Sequence, residues 1–280
     1  MNNGCGKRPD AALRFALFGN PVAQSLSPLM HGAAFAKMGL AAAYTAYRVD
    51  DATDVVRRIR ADGIRGASIT IPFKQTVMAL LVGVDANAAA IGAINTISNI
   101  DGRLMGYNTD YLGLARDLED WIGIPGRTFA ILGAGGAARA AVFTIIRGGG
   151  EAVVVNRTAA TARSLAGSFG CRWVLPAEIC LLEADCLINT TPLGMFPDTD
   201  RSPLEKTALA RFPHVMDMIY NPVRTRLLRE AEAAGCSVRS GVGMFVHQGA
   251  EQIRLWTGIE PPRERMKAAV MERLGGQGGD

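Results

Sequence analysis

Short apolar runs alternate with longer stretches of helical periodicity along most of the chain. The runs at Arg14–Phe18, Tyr44–Val49, Ala67–Ile71, Asn95–Ser98 and Leu104–Tyr107 predict β-strands. Between them, Pro28–Met38, Ala52–Ala61 and Lys74–Leu81 place apolar residues three and four apart, which predicts helices. The alternation describes an α/β unit of about 100 residues. A second unit of the same kind starts with a buried strand at Thr128–Leu132, continues through a helix to Ala152–Val155, and adds strands at Cys186–Asn189, Val215–Ile219 and Ser237–Arg239. That order is consistent with one parallel, doubly wound sheet. A last apolar helix, Met244–Trp256, follows Gly241 and Gly243.

The join between the strand at Thr128–Leu132 and its helix carries the first chemistry. Gly133, Ala134, Gly135, Gly136, Ala137 and Ala138 fit G-x-G-x-x-G/A, in which a backbone without side chains approaches a pyrophosphate at a helix N-terminus. The flanking strands make this a βαβ unit and a dinucleotide site. An NAD site usually places a carboxylate about 20 residues further on. Here stand Asn156, Arg157 and Thr158. A guanidinium suits a 2′-phosphate that a carboxylate would repel, so the expected cofactor is NADP.

Composition narrows the partners. The 280 residues are 49% hydrophobic, with a formal charge of +4 spread along the chain, which argues against disorder and against a nucleic-acid or membrane stripe. Anionic small molecules are the expected partners. Cys5, Cys171, Cys180, Cys186 and Cys236 form no C-x-x-C pair and have no nearby His cluster, so no metal is expected and the thiols read as reduced and cytoplasmic. Met1–Asp10 reads as a disordered lead and Gly275–Asp280 as a frayed tail. No apolar run reaches the roughly 20 residues of a membrane span, and a soluble protein is expected.

Several segments, in order, resemble the shikimate dehydrogenase family over nearly the whole chain: Gly19–Pro28, Thr70–Lys74, Gly92–Thr96, Tyr107–Asp110, the glycine turn, Asn156–Thr158, Asn189–Met195, Asp217–Pro222 and Gly241–Gln248. The resemblance implies reversible NADPH-dependent reduction of 3-dehydroshikimate to shikimate, on the way to chorismate and the aromatic amino acids. It also implies two α/β domains around a cleft. Residues 10–112 with 244–274 would bind substrate, and 113–243 would form a Rossmann-like NADP domain. Lys74 and Asp110 match the catalytic pair. Ser25, Ser27 and Tyr220 match positions that hold the substrate carboxylate, and Thr70, Asn95, Asp110 and Gln248 match hydroxyl-binding positions. Met218 and Gly241 match positions near the nicotinamide. Thr190 and Thr191 end an apolar strand at the sheet edge where ligands collect in such folds.

The residues read on their own agree. Hydride reduction of a ketone leaves charge on its oxygen and needs a proton donor within reach. Lys74, expected to open a helix just after Pro72, can supply it, and a carboxylate at Asp110 would orient the ammonium and favour its charged form. That predicts easy reduction near neutrality and faster oxidation toward alkaline pH. Ser27 is also placed to cap the helix that Pro28 opens. The chain departs from the family at Ser68 and Gly32, where Asn is common, and at Thr161, where a second basic residue is expected. Arg163 follows two positions later and would face away along the helix, which leaves Arg157 to discriminate. The alternatives are a quinate/shikimate or aminoshikimate dehydrogenase using NAD or NADP, and a nucleotide-binding regulator without turnover. The assembly expected is a monomer or homodimer.

Overall fold

The computed structural model describes residues 12–275. Two six-stranded sheets stand side by side, each covered by helices on both faces. The first sheet is built from β1 (Leu13–Gly19), β2 (Ala42–Arg48), β3 (Gly66–Ile69), β4 (Gly83–Val84), β5 (Thr96–Ile100) and β6 (Arg103–Tyr107), in the spatial order β2-β1-β3-β5-β6-β4. β5 runs antiparallel to β3 and β6, and the other pairs are parallel. Side chains alternate across β1 with the two-residue period of a pleated strand. Phe15 and Leu17 enter one core with α1 (Ser27–Lys37), α9 (Val242–Thr257) and α10 (Arg263–Gly275). Ala16 and Phe18 enter the other with α2 (Ala52–Ala61).

The second sheet is wholly parallel. Its strands β7 (Thr128–Leu132), β8 (Glu151–Val155), β9 (Arg172–Val174), β10 (Cys186–Asn189), β11 (His214–Asp217) and β12 (Ser237–Ser240) lie in the order β12-β11-β10-β7-β8-β9. Both faces are buried, which is why its strands read as continuous apolar runs. Phe129 and Ile131 pack under α5 (Gly136–Arg147) and α6 (Ala159–Phe169), while Ala130 and Leu132 face the side of α7 (Lys206–Leu209) and α8 (Arg226–Ala233). The helix α3 (Ala86–Ile91) packs against α5 from the first sheet's side, through Ile91, Ala93 and Ala140.

Three expectations change. The helix expected at Lys74–Leu81 is a short 3₁₀ turn at Thr76–Leu80: the Met78 N–H bonds the Gln75 carbonyl at 3.3 Å, and the Lys74 carbonyl accepts instead from the Ile94 N–H at 2.8 Å. Ser27 is the first residue of α1 rather than its cap. Instead the Ser25 hydroxyl accepts the Ser27 N–H at 3.3 Å. The apolar helix at Met244–Trp256 begins two residues earlier, at Val242. Cys5, the N-terminal lead and residues 276–280 of the tail lie outside the described residues, within which no helix is long and apolar enough to cross a membrane.

The chain crosses between the sheets on α4 (Asp110–Glu119), which packs on both α5 and α9, and returns through α9. Asp117 locks these crossings together. It is fully buried and accepts both Nε (3.0 Å) and Nη2 (2.6 Å) of Arg239 on β12, plus the Met244 N–H (3.0 Å) at the start of α9. A Cβ at Gly243 would stand 2.1 Å from the Asp117 carboxylate, so only glycine admits this approach. Asp117→Ala would strand the Arg239 guanidinium, half in the protein, and lower stability by about 3 kcal/mol in urea unfolding.

Candidate active site

A cleft of about 400 Å³ opens between the two sheets. Every residue predicted to meet substrate lines it: Ser25, Ser27, Thr70, Lys74, Asn95, Asp110, Tyr220 and Gln248. At its floor the Lys74 Nζ donates to Asp110 Oδ2 at 2.6 Å, with the two side chains 17% and 8% exposed. Asp110 opens α4, and its other oxygen accepts from the Asn95 amide at 2.8 Å. Asn95 is held in turn. Its Oδ1 accepts the Thr109 N–H at 2.7 Å and the Thr96 hydroxyl at 2.7 Å, so its NH₂ can only point at Asp110, Thr109 and Gln248. The ammonium is therefore aimed by a carboxylate that is itself fixed, and it reaches the cleft from a turn rather than from a helix.

Hydroxyls gather at one end of the cleft. Ser25 Oγ lies 3.2 Å from Ser27 Oγ, and the Leu26 N–H approaches the Tyr220 hydroxyl at 3.5 Å. Burial pushes the Tyr220 phenol above its ordinary pKa, so it remains a donor. Its ring stacks on Phe245 with centroids 4.0 Å apart. Ser68, Gln252, Gln24, Met195 and Phe196 also line the cleft and were not among the expected site residues. Ser68 donates to Gln252 Oε1 at 2.8 Å and accepts the buried Tyr44 hydroxyl at 2.6 Å. The Tyr44 hydroxyl thus reaches into the space that a longer residue at position 68 would occupy. Gln252 sits one helical turn beyond Gln248 on an otherwise apolar face, and that spacing was the available sequence signal.

The other wall is the carboxyl edge of the parallel sheet. Ala137, Thr190, Met218 and Gly241 line the cleft, whereas Gly133–Gly136 and Asn156–Thr158 lie beyond that lining at the ends of β7 and β8. Gly133 has φ +112°, and a Cβ there would meet Thr190 Oγ1 at 2.6 Å. Gly135 precedes α5 with open space around it, and the first turn of α5 carries no acidic side chain. Asn156 spends its NH₂ on the Thr158 carbonyl (3.1 Å) and Thr161 Oγ1 (2.7 Å). Arg163 lies over the Trp173 ring, 5.5 Å from its centroid. Arg157 is exposed, and no hydrogen bond or ion pair to the described residues engages it. An open helix N-terminus beside a free guanidinium fits a phosphorylated dinucleotide.

Residues 17–97 match the family model for the shikimate dehydrogenase substrate binding domain, and residues 241–271 match that for the shikimate 5′-dehydrogenase C-terminal domain. The chain is 43% identical to a shikimate dehydrogenase (NADP(+)) of Geobacillus sp. (strain WCH70), over 94% of this chain and 99% of that protein. It belongs to the shikimate dehydrogenase family. A second such relative, from Pyrococcus abyssi, is 41% identical over 93% of this chain and 98% of its own. Among solved structures, the shikimate 5-dehydrogenase of Thermus thermophilus, in complex with NADP(H) and shikimate, superimposes with a TM-score of 0.84 at 39% identity, covering 94% of this chain and all of that one (100%).

Behind the serine loop of this family member lies His31, fully buried and stacked on Tyr44 with ring centroids 4.2 Å apart. Its Nδ1 faces the Ser27 carbonyl at 2.8 Å and so carries the proton, while Nε2 has no partner among the described residues. Burial lowers its pKa to about 4, only partly offset by that carbonyl. The folded state thus resists protonation that the unfolded chain accepts below about 6.5. Stability falls as pH drops through the window from about 6.5 to 4, by on the order of 3 kcal/mol from this group. In denaturant unfolding across that window, His31→Phe should show a shallower acid slope than the parent.

Proposed function

We propose that the chain is an NADP-dependent shikimate dehydrogenase, interconverting 3-dehydroshikimate and shikimate in aromatic amino acid biosynthesis. The observation that carries this is the buried Lys74–Asp110 pair on a cleft whose far wall is an open, phosphate-accepting helix N-terminus. Residues 10–112 and 244–274 act as the substrate-binding domain, and 113–243 as the NADP-binding domain. The eight substrate-side residues meet on one cleft of this chain, a placement that suits a monomer or a homodimer. Cys171, Cys180, Cys186 and Cys236 form no disulfide among the described residues, which agrees with a cytoplasmic enzyme.

The substrate carboxylate is held by donors from Ser27 and Tyr220, with Ser25 fixing the loop between them. Thr70, Asn95, Asp110 and Gln248 offer the mixed donors and acceptors that a ring of hydroxyls requires. That arrangement sets the reacting carbon's oxygen beside the Lys74 ammonium. Bound NADPH supplies a hydride and NADP⁺ accepts one. As charge develops on the ketone oxygen, Lys74 stabilises it and delivers the proton. In oxidation the neutral Lys74 amine takes the hydroxyl proton and becomes the ammonium, which Asp110, itself oriented by the Asn95 amide, holds in place. On the cofactor side, Gly133–Ala137 and Thr190 would hold the pyrophosphate and Arg157 the 2′-phosphate of the adenosine ribose. Asn156 and Thr158 shape the ribose turn, and Met218 and Gly241 border the nicotinamide.

Lys74→Met is expected to lower turnover by about 10³-fold while NADPH still binds, read by steady-state kinetics beside fluorescence titration. Retained turnover would refute the role of Lys74, and a parent protein without turnover would favour a regulator. Arg157→Ala should raise the KM for NADP by about tenfold or more and leave that for NAD nearly unchanged. Rates with shikimate and quinate, each with NADP and NAD, test the substrate assignment, and preference for quinate with NAD would overturn it.

A further inference from the structure

Asp217 is a buried carboxylate that the reaction above does not use. It ends β11 with no measurable exposure and no cationic partner. Oδ1 accepts from the Asn189 amide at 3.0 Å and the Ile219 N–H at 3.1 Å, and Oδ2 accepts from the Thr225 hydroxyl at 2.7 Å. Of these donors Ile219 lines the cleft itself, Asn189 directly precedes the lining residues Thr190 and Thr191, and Thr225 follows the loop that carries Tyr220 and Asn221. Asn189 Oδ1 accepts both the N–H (2.9 Å) and hydroxyl (2.7 Å) of Thr191, and the Asn189 carbonyl takes the Met218 N–H at 3.0 Å. Ile219 lies between Met218 and Tyr220, and all three line the cleft. Thr225 caps α8 by accepting the Leu228 N–H at 3.3 Å, and so anchors the far end of the same loop.

We propose that Asp217 is a positioning residue: it clamps the loop of Met218, Ile219 and Tyr220 to the loop of Thr190 and Thr191, and so sets the wall that meets the substrate carboxylate and the nicotinamide. This rests on the shikimate dehydrogenase reading. Burial without a counter-cation drives the Asp217 pKa up to about 7. The charged groups around it are committed elsewhere. Arg239, opposite Met216 on β12, is held by Asp117, and His214 at the other end of β11 faces the Asp185 carbonyl. On α8, Arg226 pairs with Glu230, Arg229 donates to the Arg224 carbonyl, and Glu232 is bound by Arg224 at the surface. β10 presents only the neutral Asn189. Three donors nonetheless converge on the carboxylate, an arrangement suited to its ionised form. A protonated Asp217 must donate one bond, which turns the Thr225 hydroxyl away and loosens the clamp.

Asp217→Asn keeps the shape and removes the charge, and Thr225→Val removes one donor without touching the carboxylate. Both are compared with the parent by shikimate binding in calorimetry, NADPH titration, kinetics, and thermal unfolding from pH 5 to pH 9. The expected result for Asp217→Asn is shikimate KM and Kd raised about tenfold with NADPH affinity lowered about threefold or less, because Thr190 is the one proposed phosphate contact on the clamped loops while Gly133–Ala137 and Arg157 lie outside them. Thr225→Val moves in the same direction by less. The Asn variant should also lose the part of the pH–stability slope that comes from Asp217. A raised carboxyl pKa makes the folded parent bind the proton more tightly than the unfolded chain, so its stability relative to the variant falls as pH rises from about 4 to about 7 and is level above. Parallel loss of both ligands in proportion to lost stability would reduce Asp217 to a structural role and overturn the proposal, as would unchanged shikimate affinity in both variants. If Asp217→Asn fails to fold, Thr225→Val decides alone by the same split. A parent that neither binds nor turns over shikimate refutes the functional reading and the proposal with it, whereas an active parent with no split refutes the proposal only.

Discussion

Gly136, the first residue of the nucleotide-side helix, lies directly against Lys74. A Cβ at position 136 would come within 3.2 Å of both Cβ and Cδ of that lysine. The absent side chain lets a helix from one sheet touch the proton-handling residue of the other. Every functional distance depends on this approach, because the phosphate-binding turn and the ammonium belong to different cores. The same contact face is fastened further along by Arg139, whose Nε donates to the Ile91 carbonyl at 2.6 Å, just ahead of the segment that carries Asn95. Gly92 has φ +70°, and a Cβ there would run into that guanidinium.

Placing an ion pair in so closed a cleft carries a desolvation cost, and the surrounding hydrogen bonds show how it is offset. Asp110 accepts from both Lys74 and Asn95. Asn95 is oriented by a backbone N–H that cannot turn, and the Thr96 hydroxyl that also serves it accepts from Gln252 at 3.0 Å. A network of this kind is stabilising only when each member is satisfied. Here the donors run in one sense, from Tyr44 through Ser68, Gln252, Thr96 and Asn95 to Asp110. The serine at position 68 therefore leaves no gap in it. The shorter side chain is compensated by a tyrosine that comes from a different strand.

Cofactor choice is organised more sparingly. Thr161 stands where a second cation is expected, and its hydroxyl closes the turn with Asn156 and the Thr158 carbonyl. Arg163 rests on Trp173. On the proposed reading, the positive charge offered to a 2′-phosphate is that of the exposed Arg157. The backbone turn at Gly133–Gly136 serves any dinucleotide equally, since it reads a pyrophosphate that NAD and NADP share.

The local pattern of the chain was enough to locate the parallel sheet, the glycine turn and the lysine–carboxylate pair. The first two are written in short windows, as apolar runs and a turn that requires glycine, whereas Lys74 and Asp110 stand 36 residues apart and were paired through the family motifs that carry each of them. The small strands β4 and β9 and the helix α10 were not legible, because a two- or three-residue edge strand and a weakly amphipathic helix owe their existence to the surfaces they pack on. The 3₁₀ turn after Lys74 was misread for a related reason, since the Lys74 carbonyl is engaged by the N–H of Ile94, a residue 20 positions further on that no local window includes. The sequence by itself determined which side chains are candidates for the chemistry and which cofactor class suits the chain. Tertiary structure alone decided that Tyr44 completes Ser68, that Gly136 meets Lys74 and that Asp217 joins two loops, since each contact pairs residues far apart in the chain through cores that form only when both sheets are in place.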